Sequence, residues 1–177
     1  FADEAVDIAV VEVGLGGRLD SSNVSESIVS VLTPIDFDHM EFLGGDLPSI
    51  AREKCGILRK DVPVVTAPQH EKVMSVIESS SKDKECPLFL TSEVCPVTAA
   101  VQSPNGSRFA IGETSIDLPL FGKYQVINAQ TAIAACSLFD PKLGYDVVKI
   151  GLTKIVWPGR LQKLSENPLA YYDVGHN

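Results

Sequence analysis

The stretch DIAVVEVGLGGRLDSSN, residues 7–23, decides how this chain is read. Its apolar run, residues 8–13, is interrupted only by Glu12 and closes on Gly14, Gly16 and Gly17. A β-branched apolar run closed by glycines reads as a buried parallel strand entering a tight loop. A carboxylate inside such a strand is costly unless it is paired or binds a cation. Glu12 lies at the carboxyl end of the expected strand, where open α/β sheets place their ligands. Two partners are open to it at this point: a metal ion, or a salt bridge to a nearby Arg or Lys, for which Arg18 is available.

Working outward, the 177 residues suffice for one domain and the edge of another. Hydrophobic residues make up 45% and charged residues 21%, which fits a folded rather than a disordered chain. The net charge of −8 argues against a sequence-independent grip on nucleic acid or on an anionic membrane. It leaves room for a nucleotide held through Mg²⁺. Cys55, Cys86, Cys95 and Cys136 form no C-x-x-C pair and have no histidine at zinc-ligand spacing. They read as reduced thiols of a cytoplasmic protein. No signal peptide and no run long enough to span a bilayer is present. The sequence opens on Phe1 without a Met and stops at Asn177 just after an apolar run, so the expectation is a piece of a longer protein.

Downstream, residues 28–33 (IVSVLT) read as a second strand that Pro34 ends. Residues 36–45 form a loop with acids around His39, which by itself reads equally well as a surface histidine. Asp46 or Ser49 caps a helix reaching Leu58, with Ile50, Ile57 and Leu58 toward the core. Lys54 lies on that helix, where a solvated lysine is the ordinary expectation. A third strand is expected at 62–66, an amphipathic helix at 71–80 and a short strand at 87–90. Strands alternating with helices predict a mostly parallel α/β sheet flanked by helices over roughly residues 5–95. Between 97 and 121 the texture changes to short runs parted by Asn105-Gly106 and Gly112-Glu113, which predicts a small appended antiparallel sheet. Helices are expected at 125–138 and 145–155, a break at WPGRLQ, and a last strand at 169–174 leading to Gly175-His176-Asn177.

VEVGLGGRLDSSNV (11–24), DFDHMEFLG (36–44), IAREKCGIL (50–58), NAQTAIAA (128–135), WPGRLQ (157–162) and YDVGHN (172–177) stand in this order along the chain. Together they resemble the folylpolyglutamate synthase and dihydrofolate synthase family of Mur-type ligases. The peptidoglycan-building Mur ligases do not usually carry WPGRLQ followed by D-x-x-H-N. The family commonly has Gly-Ala where Val174-Gly175 stand here, a small departure. The larger departure is that no G-x-x-x-x-G-K-[ST] phosphate loop occurs. Gly14-Leu-Gly16-Gly17 is no substitute, since it lacks the lysine and the hydroxyl. The expectation is therefore a partial central ATP-binding domain over 1–156, starting after its phosphate loop. Residues 157–177 would be a linker and the first strand of a further domain.

The resemblance implies an ATP-dependent ligase that joins L-glutamate to a folate or dihydropteroate carboxylate through an acyl phosphate, with Mg²⁺. It implies metal and catalytic roles for Glu12, His39 and a carbamylated Lys54. It also implies nucleotide contacts for Asn128, Arg160, Asp173 and His176. From the residues alone, Asn128 at a helix start could instead be a cap, the lesser alternative, and Asp173 could merely end a strand. Asp20 and Asn23 read as loop structure. The implied partners are small molecules, with no nucleic acid and no membrane, for a monomeric cytoplasmic enzyme. The alternatives are a non-catalytic nucleotide-binding domain, or another Mur-type ligase with a different acceptor.

Overall fold

The computed structural model describes residues 2–103 and 105–175. A parallel sheet forms from β1 (Ser30–Leu32), β2 (Val64–Thr66) and β3 (Leu88–Leu90), in that order. Its connections carry α1 (Met40–Leu43), α2 (Leu47–Lys54) and α3 (Glu71–Asp83). Asp46 caps α2 by accepting from the Ser49 amide, and Pro48 stands in its first turn, where a missing N–H costs nothing.

β2 is central and buried on both faces. Neighbouring strand residues point opposite ways, and Val64 and Val65 divide accordingly. Val64 packs with Ile50, Leu58, Val73 and Ile77 from the α2–α3 side. Val65 joins the core built by α5 (Lys123–Phe139) and the antiparallel sheet, through Phe109, Ile116 and Ile133. That sheet comprises β4 (Val97–Ser103), β5 (Gly106–Ile111) and β6 (Thr114–Leu118), and it follows α4 (Thr91–Val94). Its β4–β5 turn holds Asn105-Gly106. Gly106 has φ of +135°, and a Cβ there would lie 2.2 Å from the Leu118 carbonyl oxygen, so the position requires glycine. Helix α6 (Tyr145–Thr153) packs on β6.

Two features differ from the sequence reading. The run at 8–13 is neither a strand nor buried: Val10 is 93% exposed, and Glu12 is exposed with it. A buried strand needs a hydrogen-bonding neighbour, and among the described residues nothing pairs with this run. The second difference lies beyond WPGRLQ. Residues 162–166 are a strand, β7 (Gln162–Glu166), which forms a hairpin with β8 (Leu169–Tyr172). Asn167-Pro168 makes the turn; the break expected at WPGRLQ stands, and the hairpin's first arm follows it where the sequence reading assigned no element.

Phe109 is 1% exposed, and Phe109→Ala should cost about 3–5 kcal/mol. Val10→Ala, at an exposed site, should stay within about 0.5 kcal/mol. Urea unfolding of the two variants measures both.

Candidate functional site

The glycine loop that follows residue 13 is the hub of the site. A Cβ on Gly16 would lie 3.0 Å from Leu43 Cδ2 of α1. A Cβ on Gly17 would lie 2.9 Å from the Glu53 carbonyl oxygen and 3.0 Å from that of Lys54. The Arg18 amide donates to the Glu53 carbonyl at 2.9 Å. From the other side, a Cβ on Gly56 would sit 2.3 Å from the Arg18 Cα. Close backbone approach thus explains Gly17 and Gly56, and it brings the segments bearing Glu12, His39 and Lys54 together.

Asp20 shapes the loop from within. Its carboxylate accepts from the Gly14 amide at 3.1 Å, the Leu15 amide at 2.9 Å and the Ser22 amide at 2.9 Å, and also from the Ser22 hydroxyl. The Ser22 hydroxyl, followed by these amides, holds its pKa down at about 2. Asn23 donates to the carbonyls of Arg18 at 3.1 Å and Gly56 at 3.3 Å. Both residues are loop structure, as their types suggested.

Arg18 pairs with Glu53 at 3.0 Å rather than with Glu12. That removes the salt-bridge account of Glu12, whose exposed carboxylate has no hydrogen bond or ion pair among the described residues. His39 begins α1 with left-handed backbone, φ 47° and ψ 40°, an uncommon conformation for a side-chain-bearing residue. It is exposed, with Nε2 3.6 Å from Asp38. Its loop is anchored by Gln69, which accepts from the Ile35 amide at 2.9 Å and donates to the Thr33 carbonyl at 2.9 Å. Lys54 ends α2, half-buried rather than fully solvated, and its ammonium pairs with no carboxylate among the described residues. No three His, Cys, Asp or Glu side chains gather to hold a metal ion among the described residues. These residues therefore do not form a closed metal centre by themselves.

A second cluster lies on the β7–β8 hairpin. Asp173 accepts from the Leu161 amide at 2.8 Å and from the Gly175 amide. Those bonds, Gly175 first, hold its carboxyl below the usual range, and the Arg160 guanidinium adds to them. Arg160 is exposed and lines a pocket of about 280 Å³ with Trp157, Lys163 and Leu120. An adjoining apolar pocket of about 320 Å³ is lined by Phe121, Tyr171 and Gln102. Asn128 is exposed inside α5, bonded to Gln125 Oε1 at 3.2 Å; Gly122 is the helix N-cap, so the capping account of Asn128 fails. His176 lies outside the described residues.

The sequence reading overlooked Gln69, Arg59 and Lys84. Their signal is faint, because a side chain that bonds backbone carbonyls leaves no motif. The thiols of Cys55, Cys86 and Cys95 are buried and free, and burial pushes Cys95 up to about 11. No helix is long and apolar enough to cross a membrane among the described residues.

With this geometry in view, comparison with known proteins places the chain. Residues 1–136 match the Mur ligase middle domain. The chain belongs to the Mur ligase family. It is 33% identical, over 97% of its length, to a dihydrofolate synthase/folylpolyglutamate synthase of Bacillus subtilis, covering 42% of that protein. Its fold superposes on Mycobacterium tuberculosis folylpolyglutamate synthase complexed with ADP and AMPPCP, with a TM-score of 0.91 and 35% identity. That match covers 100% of this chain and 42% of the other. A folylpolyglutamate synthase–AMPPCP–folate complex gives a TM-score of 0.92 at 31% identity, covering 100% of this chain and 45% of that one. The chain spans about two-fifths of the length of the curated relatives it matches.

In this chain the glycine loop is braced by Asp20 through three backbone amides. A carboxyl held at about 2, against an ordinary 3.8, stabilises the fold above about pH 4 and loses that contribution as pH falls through about 2. Asp20→Asn should be less stable than wild type at pH 6, with the gap closing from pH 4 toward pH 2. Urea unfolding across that range checks it.

Proposed function

We propose that this chain is the central part of an ATP-dependent ligase adding L-glutamate to a folate or dihydropteroate carboxylate. The observation that carries the reading is the glycine loop docked on the end of α2. It leaves the carboxylate of Glu12 and the amine of Lys54 without ionic partners beside one another's segments, in a member of the Mur ligase family. The likeness to dihydrofolate and folylpolyglutamate synthases supports the substrate class.

The reaction follows from the substrates. The acceptor carboxylate attacks the γ-phosphorus of ATP, giving an acyl phosphate and ADP. The glutamate amine then attacks the acyl carbon and phosphate leaves. Phosphoryl transfer asks the protein for positioning and charge neutralisation more than for covalent chemistry. Arg160 offers a fork of donors that stays charged, which suits phosphate. Asp173 keeps a free lone pair on each oxygen beyond its amide bonds and suits the ribose hydroxyls. Asn128 is assigned to the adenine and His176 to the phosphates. Mg²⁺ is usually held by one or two carboxylates together with substrate phosphates, and Glu12 is assigned to that role together with His39. Lys54 is assigned as a carbamate: its neutral amine adds to CO₂ with loss of a proton and becomes an anionic oxygen donor.

Residues 1–156 are assigned to the nucleotide-binding domain and 157–177 to the start of the next. The protein is read as a cytoplasmic monomer that works on small molecules and not on nucleic acid or membrane.

In the full-length protein, ATP-dependent incorporation of labelled glutamate into dihydropteroate or folate should be measurable, and its absence with both acceptors would refute the reading. Arg160→Ala should weaken ATP use about tenfold or more, for the loss of charge-assisted bonds worth roughly 1.5–3 kcal/mol. Steady-state kinetics at varied ATP reads that out. Lys54→Ala should be nearly inactive and partly restored by added short-chain carboxylates. Full activity in Lys54→Ala would remove the carbamate from the mechanism.

A further inference from the structure

The turn after Lys54, the 3₁₀ segment Cys55–Ile57 with Leu58, presents a row of carbonyls of which backbone among the described residues satisfies only that of Cys55, through the Leu58 amide at 3.2 Å. Two cations converge on it. The Lys84 ammonium donates to the carbonyls of Cys55 at 3.1 Å, Gly56 at 3.4 Å and Leu58 at 3.2 Å. Arg59 Nη1 lies 3.4 Å from each of the carbonyls of Gly56, Ile57 and Leu58. Neither cation pairs with a carboxylate among the described residues. Capping this turn therefore has a sufficient agent in Lys84, and the Nη1 contacts of Arg59 are long.

The short bonds of Arg59 go elsewhere. Its Nη2 donates to the Asn23 backbone carbonyl at 2.6 Å and to the Asn23 side-chain oxygen at 2.7 Å. Asn23 in turn donates to the carbonyls of Arg18 and Gly56. The guanidinium is thus a two-sided clamp, with one nitrogen on the turn after Lys54 and the other on the glycine loop. A rigid planar fork can serve two segments at once, which a lysine's single nitrogen on a flexible stem does poorly.

We propose that Arg59 is a positioning residue for the ligase reaction, fixing the loop that follows Glu12 against the turn that follows Lys54 by way of Asn23. The proposal rests on the ligase reading. Arg59 touches none of the reacting groups assigned above. It sets the register between the two segments that carry them, and misplacement of about 1 Å costs an enzyme on the order of a hundredfold.

The test uses the full-length protein with Arg59→Met, Arg59→Lys and Asn23→Ala. Asn23→Ala removes the side-chain half of the far jaw, together with Asn23's own bonds to the Arg18 and Gly56 carbonyls. It leaves the contacts of Arg59 with residues 56–58 and with the residue-23 carbonyl in place, so it keeps the test open if Arg59→Met folds poorly. Both Arg59→Met and Asn23→Ala should lower kcat tenfold or more while KM for ATP moves less than threefold. Arg59→Lys should recover only part of the loss, and the double variant should lose less than the product of the two single losses, because the two residues share a bond. Amide exchange at residues 14–20 should quicken in Arg59→Met and Asn23→Ala while that of α3 stays as in wild type. Unchanged kcat in folded Asn23→Ala, or exchange at 14–20 equal to wild type, overturns the clamp. An inactive wild-type protein would instead count against the ligase reading, and the exchange measurement would still decide whether Arg59 holds the loop.

Discussion

Everything in the molecule hangs on β2, a strand three residues long with no face left for solvent. A single alternation separates its work: Val64 closes the core under α2 and α3, and Val65 closes the core shared by α5 and the antiparallel sheet. Each valine is fully buried, and each such side chain contributes roughly 1.5–3 kcal/mol through removal from water. The two cores lie on opposite faces of this strand, so the orientation of one layer relative to the other follows the sheet's pleat. The candidate site then sits at the border of one of these layers, where α2 runs out and the chain must turn back toward β2.

That border is stabilised by backbone rather than by side-chain chemistry. Gly17 and Gly56 allow two main chains to approach closely, and amide and carbonyl groups meet directly. The charged residues nearby are arranged around this contact. Arg18 and Glu53 bridge it on the outside, while Arg59 and Lys84 neutralise the carbonyls beneath it. Asp20 gathers the loop's own amides. Among the described residues Glu12 and Lys54 have no ionic partner either, which supports the ligand roles proposed for them.

Much of this was legible in the sequence because it is local. The caps of α2, the amphipathic face of α3 and the Asn-Gly turn are written in adjacent residues, and the parallel order follows from strands alternating with helices. The Glu12 run was misread for a physical reason. Apolar periodicity reports that a segment suits burial, but burial also requires a neighbour, and pairing is not encoded in the segment itself. The β7 strand was missed for the opposite reason: Gln162 to Glu166 is polar and lacks alternation strong enough to announce itself. The clamp built by Arg59 and the anchor built by Gln69 were invisible because each spans more than thirty residues and ends on backbone oxygens.

The open run at 8–13 also has a colloidal side. Val6, Ile8, Val10 and Val11 stand in water next to one another, and Phe37 and Phe42 are exposed on the loop and helix after β1. The outer edge of β1 has no partner among the described residues. Apolar side chains and unpaired peptide groups together are the ingredients of intermolecular strand addition. A net charge of −8 opposes that association at low ionic strength, and salt screens the repulsion. The 177-residue chain should thus lose solubility as salt rises, a property of the exposed run and not of the candidate site.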